Sequence, residues 1–205
     1  MKVLIACEYS GRVRDAFNAL GHEAMSCDLL PSETDGEHYQ GDVFDLDLSQ
    51  FDLMIAHPPC TYLSNSGVCH LHKDITRWPE LIDGALFFKK LLECEVERIA
   101  IENPIMHKYA KKIIGCGQQT QIIQPHMFGH TEQKATCLWL KGLKPLLTTN
   151  DVKEEMMLLP DNERQRLHYL PPSPERWKLR STTYQGIANA FAAQWGGDIR
   201  QRNAA

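Results

Sequence analysis

The stretch Ile55-Ala56-His57-Pro58-Pro59-Cys60 runs from apolar residues straight into two prolines and a thiol. Proline fixes its own φ, so Pro58-Pro59 stiffens the turn that presents Cys60. A thiol held at such a place can act as a thiolate nucleophile, whereas Cys94 and Cys137 read as small core hydrophobes. Glu102 follows a second apolar run, Ile99-Ala100-Ile101. In a partly dehydrated pocket its carboxyl could carry a proton or share one with a heteroaromatic ring nitrogen, although beside Pro104 it could equally cap a helix. Three more runs end on polar residues: Glu8, Ser10 and Gly11 after the first, Asp28 after the second, and Gly41-Asp42 near the third. The Ser10-Gly11 turn opens a helix whose amides could approach an anionic or polar ligand. Asp28 is placed to accept from ribose hydroxyls, and Asp42 could hold an exocyclic amino group such as that of adenine. Singly, both acids would also suit a turn or a cap.

The elements that must position these residues follow from hydrophobic period. Short apolar runs alternate with helical segments, the pattern of a sheet with helices on both faces. Strands are expected at Lys2 to Cys7, His22 to Cys27, near Gln40, Phe51 to His57, Glu97 to Ile101, Thr120 to Gln124 and Thr136 to Leu140. Helices are expected at Arg12 to Leu20, Trp78 to Glu93, Pro104 to Ile114 and Gln185 to Trp195. In the second, Leu81, Ile82, Ala85, Phe88, Leu91 and Leu92 recur at helical spacing and should face the sheet. In the last, Ile187, Ala190, Phe191 and Gln194 give an amphipathic pattern. The expected fold is α/β: a Rossmann-like, doubly wound, mostly parallel sheet in one domain. Residues 1–140 would form its core, 141–180 an irregular connection with a little helix, punctuated by prolines, and 181–197 a closing helix. Ligands bind such sheets outside the carboxyl ends of the strands, where five successive run ends put their polar or reactive residues.

Composition narrows the classes. A hydrophobic fraction of 43% with 23% charged residues is that of a globular domain. No apolar run approaches the roughly 20 residues of a membrane span. Met1 to Ala6 is too short for a signal peptide. Seven cysteines at irregular spacing suit reduced thiols, hence a cytoplasmic setting. The net charge of −4 provides no global attraction for nucleic acid, so a local basic face would have to supply it. Glu8-Tyr9-Ser10-Gly11-Arg12-Val13 lacks the G-x-G-x-x-G fingerprint, which argues against nicotinamide or flavin.

Together these residues resemble the DNA cytosine-C5 methyltransferase family, whose fold is that of class I S-adenosylmethionine-dependent methyltransferases. The nucleophile loop P-P-C followed by Q-x-F-S is matched by Pro58-Pro59-Cys60-Thr61-Tyr62-Leu63-Ser64, and E-N-V by Glu102-Asn103 with Pro104 in place of valine. The basic Q-x-R-x-R strand is reduced to Gln133-Lys134-Ala135-Thr136, and the G-N helix is approximated by Gly186-Ile187-Ala188-Asn189. Of the glycine-rich cofactor turn only Gly11 remains. The pattern looks closest to small phage and prophage proteins of this type. The resemblance implies S-adenosyl-L-methionine as cofactor, bound by Glu8, Ser10, Gly11, Asp28, Asp42, Pro58 and Asn189. It implies Pro59, Ser64 and Asn103 on the substrate side. Cys60 would add to C6 of cytosine, Glu102 would stabilise the protonated N3 side, and Lys134 would orient the base or a phosphate.

Other readings stay open. Cys69-His70-Leu71-His72 lies near Cys60 and His57, but it has no second pair at structural-zinc spacing, so no metal is expected. A zinc deaminase needs H-x-E and P-C-x-x-C, and neither occurs. Thymidylate-synthase-like chemistry also sets a thiol on a pyrimidine, but the acidic strand ends favour an adenosyl cofactor. For the substrate, only about forty residues separate Leu140 from Thr182, too few for an independent recognition domain. Arg164, Arg166, Arg176, Lys178 and Arg180 lie there among Glu154, Glu155, Asp161, Glu163 and Glu175, a mixed-charge stretch. Three outcomes follow: an enzyme for duplex or single-stranded DNA with low sequence selectivity, an enzyme for free cytosine nucleotides, or a non-catalytic binding protein on the same fold.

Overall fold

A computed structural model describes residues 1–68, 71, 73–115 and 117–197. Its frame is a seven-stranded sheet: β1 (Lys2–Ala6), β2 (Glu23–Asp28), β3 (His38–Gln40), β4 (Leu53–Ala56), β5 (Ile99–Asn103), β6 (Gln121–Ile123) and β7 (Thr136–Lys141), in the order β3-β2-β1-β4-β5-β7-β6. All neighbours pair in parallel except β7, which runs antiparallel between β5 and β6. The order reverses between β1 and β4, the switch point at which a doubly wound sheet opens a crevice. The expected mostly parallel α/β sheet is therefore the observed one, with strand limits differing by at most two residues.

The central strands β1, β4 and β5 are apolar on both faces because both faces are covered. Val3, Ile5, Leu53, Ile55 and Ala100 meet α1 (Arg12–Ala19) and the closing helix, while Leu4, Ala6, Met54, Ile99 and Ile101 meet the helices of the opposite face. An eight-residue helix such as α1 does not persist alone. Here Phe17, wholly buried, contributes roughly 2 kcal/mol of hydrophobic stabilisation. After β4 come α2 (Asn65–Val68) and α3 (Arg77–Glu93), and after β5 comes α4 (Lys108–Ile114). In α3, Leu81, Ala85, Phe88 and Leu91 are buried as expected, but Ile82 is exposed, because its position turns out of the buried stripe.

The helix expected from Pro104 begins only at Lys108, with His107 as its cap. Residues 104–107 are instead drawn into the loop of Cys60. Asn65 N–H donates to Ile105 O (3.3 Å), His107 N–H donates to Leu63 O (2.8 Å), and Ser64 bridges Met106. The 141–180 stretch is not a bare loop. It holds α5 (Lys153–Met157), α6 (Asp161–Arg164), α7 (Arg166–Tyr169) and α8 (Arg176–Ser181), fastened through buried Met156 and Leu167. The closing helix α9 (Gln185–Phe191) continues as a π-turn over Ala192–Gly196, which leaves Gln194 exposed and bonded to Leu147 rather than on the buried face.

Candidate active site

Parallel pairing with Ala56 opposite Ile101 brings His57 and Glu102 side by side just beyond the last paired residues of β4 and β5. Their side chains meet, His57 Nδ1 to Glu102 Oε2, at 3.4 Å, and they are 9% and 19% exposed. Pro58 is buried and Pro59 exposed, and the turn closes where the amides of Leu63 and Ser64 donate to Cys60 O at 3.1 and 3.0 Å. With residues 104–107 bonded to this loop, the exits of the two strands form one stitched unit. Glu102 is thereby close enough for its charge to be felt at Cys60.

Burial pushes the Cys60 thiol up, and the charge of Glu102 adds to this, while Lys134 and Arg180 pull it back; the balance lies above an ordinary thiol. Burial also pushes Glu102 up, but the hydrogen bond from His57, the charge of Lys134 and a hydrogen bond from Thr136 outweigh it, so the carboxyl lies below its usual range. Lys134 reaches the site because its N–H donates to Gln124 Oε1 (3.0 Å) and its Nζ donates to Arg180 O (2.7 Å), tying the β6–β7 connection to the end of α8. The expected trio Cys60, Glu102 and Lys134 is thus assembled in one place. Thr136 and Arg180 join it without having been assigned a role from sequence.

Asn103, on the next residue of β5, is wholly buried, and among the described residues neither amide atom of its side chain has a hydrogen-bond partner. Ser64 is also buried, its backbone carbonyl accepting from Val68 N–H at the start of α2.

The ends of β1, β2 and β3 differ from expectation in one respect. The amides at the start of α1 are not open to a ligand. Val13 N–H and Arg14 N–H donate to Glu8 Oε1 and Oε2 at 2.8 and 3.2 Å, and Ser10 Oγ donates to Oε1 at 3.1 Å. Glu8 and Ser10, both buried, serve as the cap of α1, because a charged carboxylate satisfies free first-turn amides better than solvent can at a buried site. Gly11 adopts φ +72°, and the space where a Cβ would stand is filled by Thr34 and Arg14, not left as a cradle.

Arg14 explains this packing. Its side chain is 0% exposed, with Nε to Asp15 (2.8 Å), Nη1 to Ser26 and Ser32 (3.2 Å each), and Nη2 to Thr34 Oγ1 and Asp35 O (2.7 Å each). It fastens the loop after β2 over the start of α1. Sequence reasoning missed it, since a buried arginine carries no mark in composition or period.

The acids remain available in part. Asp28 Oδ1 accepts from Leu30 N–H (2.9 Å), and Asp42 Oδ1 accepts from Phe44 N–H (2.9 Å). Burial raises the Asp28 carboxyl, and burial with the charges of Asp28 and Asp42 raises Cys7 and pushes Cys27 up to about 12. The edge is therefore electronegative, suited to hydroxyl or amino donors and to a positive charge. Leu29, 73% exposed beside Asp28, adds apolar surface of the kind a purine covers. An adenosyl sulfonium fits this donor set at the ends of β2 and β3, not at the glycine turn. The α8–α9 region closes alongside: Arg12 donates to Thr183 O (3.2 Å), Tyr9 Oη meets Ser181 Oγ (2.9 Å), and Lys178 pairs with Glu33 (3.1 Å) around a cleft of about 700 Å³. Asn189 is exposed and accepts from Gln185 within its own helix (2.9 Å).

Cys69, His70 and His72 of the weighed zinc motif lie outside the described residues, as does Cys116. Among the described residues no three His, Cys, Asp or Glu side chains converge as a metal site, and no helix is long and apolar enough to cross a membrane.

No family model and no curated protein matches the sequence. Solved structures similar to the chain include an Escherichia coli protein described as a DNA modification methyltransferase encoded within a prophage (15% identity, TM-score 0.43, 78% of this chain and 56% of that one). They also include the Entamoeba histolytica methyltransferase EhMeth (16%, 0.48, 74% and 57%) and the Schizosaccharomyces pombe Dnmt2 methyltransferase (17%, 0.46, 84% and 60%). The chain thus spans between 56% and 60% of the length of these three proteins.

Proposed function

We propose that the protein is an S-adenosylmethionine-dependent methyltransferase that modifies C5 of cytosine in DNA through a covalent bond from Cys60 to C6. The observation that carries this reading is the placement of Cys60 and Glu102 at the ends of adjacent strands, with the charge of Glu102 felt at Cys60 and Lys134 acting on both. A thiol and a carboxyl so placed can work on opposite sides of one ring. The Cys60 thiol loses its proton to water and adds to C6 as the thiolate while Glu102 holds a proton against N3, so electron density builds at C5. When bound, S-adenosylmethionine supplies the electrophilic methyl group for C5. Loss of the C5 proton restores the ring double bond and releases the thiol of Cys60.

Asp28, Asp42 and Leu29 are the residues that would hold the nucleoside of the cofactor, with Pro58 bordering them. Pro59 and Asn103 belong to the substrate side, with Ser64 shaping the loop. For nucleic acid, the favourable feature is Arg180, exposed and close enough for its charge to lower the Cys60 thiol. Phosphate contacts of this kind position a substrate without reading sequence. The four short helices of 141–180 offer few side chains for base edges, which supports low sequence selectivity.

The test supplies labelled S-adenosylmethionine with duplex DNA, single-stranded DNA and deoxycytidine nucleotides in parallel, and maps the modified cytosines. Label is expected on DNA cytosines in many contexts. DNA carrying 5-fluorocytosine, which cannot lose its C5 substituent as a proton, should trap a denaturation-stable adduct on the Cys60 peptide. Cys60→Ser should abolish trapping, and Glu102→Gln should slow turnover by roughly a hundredfold or more. Transfer to free nucleotides alone would move the substrate assignment, and an adduct on another cysteine would overturn the mechanism.

A further inference from the structure

We propose that His57 is the positioning residue of Glu102 and the source of the proton that Glu102 holds against the substrate ring. This rests on the cytosine reading above. The geometry comes first. His57 and Glu102 occupy matching places on paired strands, and the only hydrogen bond of the imidazole among the described residues is the one to Glu102 Oε2. The other ring nitrogen, Nε2, is buried and unpartnered among the described residues. The charges that bear on the pair are Asp28 from the end of β2, Lys134 ahead of β7 and Cys60 on the loop that His57 begins.

The chemistry follows from the state of Glu102. His57, Lys134 and Thr136 together hold it ionised, and an ionised carboxylate has no proton to offer N3. His57 can supply one when both of its ring nitrogens carry protons, giving up that on Nδ1 and keeping that on Nε2. As the ring nitrogen of cytosine arrives, the Nδ1–H bond of His57 breaks and an O–H bond forms on Glu102, leaving both groups neutral. Glu102 then shares that proton with N3. When the product leaves, the proton returns by the same two bonds, so no proton is gained or lost by the pair over a cycle. At 3.4 Å the contact is long for a hydrogen bond, and it should shorten when the ring excludes water from the pocket.

The experiment reads the pair with and without cytosine chemistry. Alkylation of Cys60 by iodoacetamide, quantified on its peptide by mass spectrometry, is followed across pH for wild type, His57→Asn, His57→Ala and Glu102→Gln. Adduct formation on 5-fluorocytosine DNA is followed for the same set. Wild type should show a second inflection besides the thiol's own ionisation. His57→Asn keeps a donor toward Glu102 but cannot titrate. It should lose that inflection in both assays and slow adduct formation by about tenfold, against about a hundredfold for His57→Ala. Glu102→Gln should also lack the inflection, and should alkylate several-fold faster at neutral pH, because a negative neighbour has gone. Equal losses in Asn and Ala variants with an unchanged pH profile would make His57 a packing residue and overturn the proposal. A His57→Asn profile identical to wild type would overturn it too. Were the protein inert on every cytosine while the alkylation inflection disappeared in His57→Asn, the cytosine reading would fall and the shared proton of the pair would stand.

Discussion

Cys60 rests as a thiol rather than a thiolate, because burial and Glu102 together outweigh two cations. Its reactivity is therefore set by small changes in neighbouring charge. Lys134 acts on both reacting groups, lowering the thiol and the carboxyl alike. Lys134→Met should raise the pKa of Cys60, so that the thiolate appears only at higher pH. The alkaline inflection of Cys60 alkylation should move upward, with adduct formation at neutral pH slowed by about tenfold for each unit of movement. An unmoved inflection would remove Lys134 from the site. At this scale the sequence was partly legible. Pro58-Pro59-Cys60 and Glu102-Asn103 could be found because a thiol behind two prolines and an acid behind an apolar strand are unusual. The role of His57 could not, because it depends on the register of β4 against β5, which periodicity does not fix.

The turn between β1 and α1 shows how one element can satisfy itself. Glu8 closes the start of α1 from within, and Arg14 fastens the loop after β2 across it. The amide cradle expected at Ser10-Gly11 failed for this reason: an open turn and a self-capped one have the same residues in sequence, and only side-chain direction separates them. Lysine cannot reproduce the planar fork of Arg14, which spans Asp15, Ser26, Ser32, Thr34 and Asp35. Arg14→Lys should therefore cost roughly 2–4 kcal/mol, since several buried acceptors lose their donors together. Denaturant unfolding measures that cost, and hydrogen exchange should show residues 29–37 opening more readily. If stability were unchanged, the loop would be held by other means. The strands themselves were legible throughout, because strands buried on both faces are apolar along their length. The start of α4 was not, because residues 104–107 are held by a distant loop, a tertiary contact that overrides local period.

For the whole molecule, net charge and local charge point in different directions. A chain of net charge −4 attracts no polyanion as a body, so any grip on DNA must come from a few cations near the site, Arg180 foremost. Binding should accordingly be weak and only modestly salt-dependent. Arg180→Ala should lower the slope of log affinity against log salt by about 1 while leaving cofactor affinity unchanged. Fluorescence anisotropy with labelled DNA over a salt series measures this, and an unaltered slope would place the contact elsewhere. The doubly wound architecture was readable from the alternation of runs. The four helices of 141–180 were not, each being too short to show a period.

The insertion of β7 between β5 and β6 has a consequence for how the protein comes to be. As the chain emerges from the ribosome, β6 has no neighbour to pair with until β7 has been made and slotted beside β5. Lys134 lies in the connection that makes this reversal, and Arg180 follows later still. Cys60 and Glu102 are thus present on the growing sheet before the cations that temper them. Contacts so distant along the chain form late, since loop closure must precede them. Cys60 and Glu102 acquire their electrostatic balance only as folding finishes, so a partly folded chain presents a thiol beside an acid without the cations that temper them.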